Sequence, residues 1–175
     1  MTDNSSSSLC TQCGVCCDGS FFELAGVRPS DLNDATRKLD MVKTGDKLQI
    51  NLPCSAHINN RCTIYDQRPW VCRAYECKLL KEHKRGEVNK DEALSTINNL
   101  KSALEEINAL LESAGVPKAN HGIHKRMRVL EQESLSKVSL PEYRKTHGPL
   151  IIKHRLLQKL LAERFGIIFQ KKNRA

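Results

Sequence analysis

Eight residues, Cys10-Thr11-Gln12-Cys13-Gly14-Val15-Cys16-Cys17, constrain this chain more than any other stretch, because they set four thiols within two short turns. A C-x2-C pair brings two side chains to one soft cation, and thiolate selects zinc, copper(I) or an iron–sulfur cluster over harder ions. Gly14 follows the second cysteine. With no Cβ there, the chain can turn back so that backbone N–H groups face sulfur. The doublet Cys16-Cys17 is more specific still. Neighbouring side chains diverge in most backbone conformations, so the two thiols are expected to face different metal centres, or a cluster and a second ion.

Cys54, Cys62, Cys72 and Cys77 bring the total to eight, the number that closes two four-coordinate sites. A disulfide framework would suit a secreted chain. Met1 to Leu9, however, is a polar serine run without the apolar stretch or cleavage signature of a secretion signal. The expected location is the cytoplasm, where reduced thiols favour metal ligation. No stretch approaches the apolar length of a membrane span.

The downstream cysteines sit in Pro53-Cys54 and in Cys62-Thr63-Ile64-Tyr65-Asp66-Gln67-Arg68-Pro69-Trp70-Val71-Cys72-Arg73-Ala74-Tyr75-Glu76-Cys77. With the first stretch, these residues resemble the bacterial cysteine-cluster family of zinc- or iron-chelating domains, the YkgJ-like proteins. The pattern of that family runs CxxCGxCC, then PC, then CxIYxxRPxxCRxY and a final Cys. The resemblance spans about residues 10 to 77 with every cysteine of the pattern present. It implies metal binding, zinc or iron, with an iron–sulfur cluster as one form of the iron. On this reading all eight cysteines are ligands: Cys10, Cys13, Cys16, Cys17, Cys54, Cys62, Cys72 and Cys77. The family has also been regarded as iron–sulfur proteins of oxidoreductase type, which keeps an iron–sulfur-dependent oxidoreductase or group-transfer enzyme as the alternative.

Arg68 and Arg73 flank Cys72, where a guanidinium can donate N–H groups toward sulfur and offset the negative charge of a thiolate centre. Surface pairing with Asp66 or Glu76 is the plainer use for them. Tyr65, Trp70 and Tyr75 read as packing that keeps water off the sulfurs rather than as a stacking platform. With eight thiols at hand, His57 reads as a loop histidine. His121 and His124 read as an exposed face, because no carboxylate or cysteine accompanies them.

A chain of 175 residues is one domain, or one with an appendage, and with only 5% aromatic residues its core must be aliphatic. The net charge of +8 lies entirely beyond residue 80: residues 1–80 carry nine basic and nine acidic side chains, residues 81–175 nineteen and eleven. Residues 118–175 hold fourteen basic against four acidic groups, enough to neutralise several phosphates. A nucleic-acid-binding protein with a structural zinc module is therefore a second alternative. Few aromatic residues interleave with that charge and no DNA- or RNA-binding pattern appears, so an acidic protein partner suits the basic half better. There is no phosphate loop, dinucleotide fingerprint, HExxH or nucleophile elbow, and the chain is read as a binding protein rather than an enzyme.

The expected fold is α+β and mainly α. A disordered lead over 1–9 precedes an irregular, metal-stapled cysteine module over 10–85 and a basic helical extension over 86–175. In the module, Phe21 to Leu24 reads as a strand, and Pro29 to Asp40 as a helix with Leu32, Ala35 and Leu39 on one face. Leu48, Ile50 and Leu52 alternate as a half-buried strand after the Gly45-Asp46 turn. Asn59-Asn60 turns Cys62 back beside Cys54, and Asp66 caps a short helix through Cys72. In the extension, Ile97, Leu100, Leu104, Ile107 and Leu111 mark a helix between Asn89 and the Gly115-Val116-Pro117 stop. A basic helix spans His124 to Val138, a further turn opens at Ser139, and Gly148-Pro149 breaks the chain. A last helix over Leu150 to Phe165 carries Leu156, Leu157, Leu160 and Leu161 and ends at Gly166, before a frayed tail at Lys171 to Arg174.

Overall fold

The computed structural model describes residues 5–59, 61–118 and 121–168. The architecture is α+β and mainly α: six helices and two small antiparallel sheets among the described residues. The Gly45 turn, at φ +59°, joins β2 (Met41–Thr44) to β3 (Lys47–Asn51), and β1 (Leu24–Val27) pairs on the other side of β3. Ile50, centred in that sheet opposite both Ala25 and Met41, is buried with Val27, Leu39 and Ala56 in a small core of its own. The second sheet is a hairpin of β4 (His57–Ile58) and β5 (Arg61–Cys62) that sets Cys62 opposite His57. Asn59 turns it at φ +51°, as the sequence suggested; Asn60 lies outside the described residues.

Two expectations for this region fail for a shared reason, the hydrogen bonding of short polar side chains to backbone N–H groups. No helix spans Pro29 to Asp40; two 3-10 turns, Pro29–Asp31 and Thr36–Lys38, replace it. Asn33 Oδ1 accepts from the N–H groups of Ala35 and Thr36 at 3.0 and 2.9 Å, and Thr36 Oγ1 donates to the Asp31 carbonyl at 2.8 Å, so the backbone finds partners without helix. The cap of α2 (Trp70–Ala74) is not Asp66 but Asp31, whose Oδ1 accepts from Trp70 N at 2.9 Å across 39 residues. Asp31 also accepts from Arg28 N at 3.0 Å, and these two N–H groups hold its carboxyl below the usual carboxylate range. The strand expected at Phe21 to Leu24 begins instead at Leu24, because Phe21 is buried in the helical core, edge-on to Phe165 at 5.4 Å.

Helix α1 (Ser5–Cys13) reaches back into the lead expected to be disordered, anchored by Leu9, which is buried in the main core. Met1–Asn4 and the tail expected to fray lie outside the described residues. After α3 (Lys78–Lys84) comes α4 (Lys90–Ser113), capped by Asn89 Oδ1 accepting from Glu92 N at 2.9 Å and stopped at Gly115 with φ +81°. Its stripe of Ile97, Leu100, Leu104, Ile107 and Leu111 is buried throughout, as the 3-4 spacing required. Helix α5 (Ile123–Leu135) follows. Helix α6 (Leu140–Leu160) passes through Gly148-Pro149 instead of breaking there; it kinks at His147, where φ is −109° and ψ 15°. It continues into a π-helical turn, Leu161–Phe165, closed by Gly166 at φ +71°. Leu157 and Leu161 are buried, while Leu156 is 60% exposed and lies outside the expected apolar face.

The main core draws on both sides of residue 85. Leu9, Val15, Phe21, Leu79 and Leu80 pack with the α4 stripe and with Leu157, Leu161 and Phe165. Polar ties cross the same boundary: Arg128 pairs with Glu23, Lys101 Nζ donates to the Gln12 carbonyl, and Lys78 Nζ donates to the Glu163 carbonyl at 2.7 Å. At the start of α5 the contact is so close that a Cβ on Gly122 would stand 1.9 Å from the Gly19 carbonyl oxygen. Part of the basic charge of the second half is thus spent on the chain itself.

His124 is buried rather than on an exposed face, with Nδ1 2.8 Å from Nε2 of His154 on α6. One ring must donate and the other accept, so the bond needs an unprotonated nitrogen. Burial depresses both groups, and the neighbouring His154 charge depresses His124 further, to about 3 for His124 and about 4 for His154. Unfolded histidines take up protons near 6.5, whereas the folded pair resists until much lower pH. Stability is therefore full above pH 6.5 and falls as pH drops toward 4. The denaturation free energy is expected to be lower at pH 5 than at pH 7 by on the order of 2 kcal/mol for each histidine of the pair, with a flatter profile in His154→Asn; an identical profile in that variant would exclude the pair as the cause.

Candidate metal centre

Sequence dictates the start of the site. Cys10 and Cys13 stand three apart on α1 and share a face. Gly14, in the left-handed conformation at φ +70°, ends the helix: its N–H donates to the Cys10 carbonyl at 2.9 Å, and its own carbonyl accepts from Cys17 N at 2.9 Å. The tight turn leaves Cys16 packed against the main core, together with Cys13 and Cys77. Cys17 belongs to the other side, since its carbonyl accepts from Cys54 N at 2.8 Å, and Cys54 packs on the small sheet core. The β4–β5 hairpin then delivers Cys62, because His57, opposite Cys62 in register, also donates its N–H to the Cys54 carbonyl at 2.9 Å. Cys72 arrives on α2 and Cys77 immediately before α3.

All eight cysteines line one cavity of about 310 Å³, and all eight are free thiols. Electrostatics divides them. Cys13 feels Cys77 and Cys10, Cys10 feels Cys77, and Cys16 feels Cys13 most, then Cys77, its neighbour Cys17 across the peptide bond, and Cys10. Cys17 feels Cys54, Cys72 and Cys62, and Cys72 feels Cys54 and Cys62. Two groups of four result: Cys10, Cys13, Cys16 and Cys77 against the helices, and Cys17, Cys54, Cys62 and Cys72 against the sheets. They meet at the Cys16–Cys17 peptide bond.

Burial pushes these thiols up, Cys13 and Cys17 to about 12, Cys72 to about 11 and Cys16 well above the ordinary 9.0, with like charges from neighbouring thiols adding to the shift. A thiolate-binding cation reverses this balance by displacing the protons. Backbone donors are already placed for the charged form. The N–H of Val15 points at the Cys13 sulfur, that of Ala56 at Cys54, and those of Leu79 and Leu80 at Cys77, each opposing the upward shift. A donor two residues beyond the cysteine recurs in all three cases. Among the described residues, no three His, Cys, Asp or Glu side chains are drawn together as ligands of a single ion; the sulfurs stand around the cavity walls. Soft, reduced donors, backbone N–H groups aimed at sulfur and water-excluding apolar walls fit a thiolate-bound metal.

The two arginines part company. Arg68 lines the cavity, while Arg73 is exposed on α2, its charge acting on Asp31. Cys72 and Arg73 are consecutive on a helix and so point about 100° apart, which takes Arg73 off the cavity wall. Tyr65, Trp70 and Tyr75 keep 37%, 46% and 37% of their surface exposed. Of these Tyr75 walls the cavity, stacked edge-on with Phe22 at 5.1 Å, whereas Trp70 and Tyr65 carry the guanidinium groups of Arg28 and Arg68 at 3.6 and 3.8 Å. Of the three, only Tyr75 thus takes the cavity-wall place expected of them. His57 is on a strand, its Nε2 buried without a hydrogen-bond partner among the described residues. Position in sequence gave no sign of the contribution from Phe22, Ile97 and Phe165, which also wall the cavity.

Fold and site together define a cysteine-rich α+β protein whose thiols gather at the seam between a sheet layer and a helical layer. The chain belongs to the CxxCxxCC family, described as a putative zinc- or iron-chelating domain, which matches residues 9–98. The match takes in all eight cysteines and continues into α4, and metal binding, as zinc or iron, is the property it carries. No curated protein and no solved structure matches the chain. No helix among the described residues is long and apolar enough to cross a membrane.

Proposed function

We propose that this protein binds metal at two adjacent four-cysteine centres, and that the bound form is an iron–sulfur cluster in each. The observation that carries the reading is the cavity of about 310 Å³ with one group of four thiols on its helical side and the other on its sheet side. A zinc ion draws four sulfurs to about 2.3 Å and leaves no space between them. The cavity is far larger, roughly ten times the volume share of a liquid water, and its thiols line the walls, which favours a body that brings its own sulfide.

Such a cluster supplies one-electron chemistry when bound. The residues of the chain hold it, direct N–H groups at its cysteine sulfurs, and exclude water with Val15, Phe21, Leu79 and Ile97. Four thiolates per centre complete a coordination shell, so the reading is of a metal-holding and electron-carrying protein, with no ligand position left for a substrate. The test is elemental analysis with the visible spectrum of protein purified without oxygen. Iron and acid-labile sulfide in cluster proportion with broad thiolate-to-iron absorption is the expected result. Colourless protein with two zinc ions would replace the clusters by ions, and eight freely titrating thiols in metal-free protein would remove the metal reading.

A further inference from the structure

Two tetrathiolate centres side by side raise an electrostatic problem. A dicationic centre held by four thiolates, an oxidised iron–sulfur core as much as a zinc ion, carries a net charge of about −2, and two such centres repel strongly in an apolar cavity. Among the described residues that line the cavity, Arg68 is the sole charged side chain; the rest are the eight cysteines, glycines, a proline, Tyr75 and aliphatic or phenyl groups. The guanidinium of Arg68 is held face-on to Tyr65 at 3.8 Å, and its buried Nε has no hydrogen-bond partner among the described residues. A buried, unpaired guanidinium N–H costs free energy unless an acceptor completes it. The cavity that Arg68 lines is lined by Cys10 of the helical group and by Cys72 of the sheet group alike.

We infer that Arg68 is a counter-charge shared by the two cysteine groups, the positioning residue that allows both to be loaded with metal at once. This rests on the reading of two centres, and it separates Arg68 from Arg73, which the sequence presents as equivalent. The Pro69 that follows restricts the backbone at Arg68 to the extended conformation it adopts, with φ −62° and ψ 150°. The Tyr65 face fixes the plane of the guanidinium. Lysine at 68 would keep the charge and lose the planar stack.

The experiment uses full-length protein purified without oxygen with the metal it carries, challenged with increasing EDTA for a fixed time, and reads metal retained per chain. Wild type is expected to hold two centres' worth. Arg68→Gln is expected to shed one centre's worth at about 10-fold lower chelator, the usual size for loss of a partner just outside the ligands. Arg68→Lys should recover most of the difference and Arg73→Gln should match wild type, with circular dichroism checking that each variant is folded. Three outcomes overturn the inference while leaving two centres in place: Arg68→Gln behaving as wild type, Arg73→Gln failing equally, or Arg68→Lys failing as badly as Arg68→Gln. The last would make Arg68 a packing element rather than a charge. Wild type holding one centre's worth overturns the two-centre reading itself, and sharing with it.

Discussion

Cys16→Ser is expected to abolish metal at the helical group and leave the sheet group loaded, and Cys17→Ser to do the reverse. Each variant should retain about half of the wild-type metal, and the two residual halves should differ in spectrum and in resistance to chelator. The argument is geometric. The turn at Gly14 sends Cys16 to the main core beside Cys13 and Cys77, whereas the carbonyl of Cys17 is tied to Cys54 N at 2.8 Å and its thiol is grouped with Cys54, Cys62 and Cys72. Serine is close to cysteine in volume but is a poor ligand for a soft cation, so the change removes ligation with little effect on packing. Because ligand-shell free energy is also folding free energy, the variants should unfold differently as well. Cys16→Ser should loosen the α1–α3 seat and Cys17→Ser the hairpin. Metal analysis beside thermal melts checks both halves of the expectation. Equal residual spectra in the two variants would show that the doublet serves one centre.

Ending the chain at residue 86 should have the next largest effect, and a selective one. Helices α1 and α3, which carry Cys10, Cys13 and Cys77, rest on α4, and Ile97 and Phe165 wall the cavity from beyond the cut. The fragment would expose Leu9, Val15, Leu79 and Leu80, four aliphatic side chains each worth roughly 1.5–3 kcal/mol when buried. A helix the length of α1 is marginal without such packing. The sheet group keeps its own core of Val27, Leu39, Ile50 and Ala56 and should keep its metal. The fragment is therefore expected to hold one centre instead of two under chelator challenge and to associate through the exposed face. A soluble, monomeric fragment that retains metal as the full chain does would mean that residues 87–175 are an independent appendage.

Where the chain's own neighbours decide the outcome, the sequence is legible. The α4 stripe follows from 3-4 spacing between an Asn cap and a Gly stop, and both the cap bond and the left-handed Gly115 are present. The Gly45 turn and strand β3 follow from the turn residue and the alternation after it. The failures lie where a polar side chain or a distant partner supplies what another group was expected to supply. Asp31 replaces Asp66 as the cap of α2, and Asn33 dissolves the helix expected around it by satisfying its own backbone. His154 draws His124 inward, and no spacing could announce a partner 30 residues away.

The candidate site divides in the same way. The expectation of thiolate ligands, eight in number and shared between two centres, belongs to the sequence, because thiolate chemistry and the geometry of adjacent residues are local properties. Which cysteine joins which group was settled by tertiary structure alone. Cys77 crosses to Cys10 and Cys13 because α3 packs on α1, and Cys72 to Cys54 and Cys62 because α2 packs on β1, contacts paid for by apolar burial far from any sulfur. The same packing set Arg68 on the cavity wall, and because Cys72 faces the cavity, Arg73, one step further along α2, is turned away.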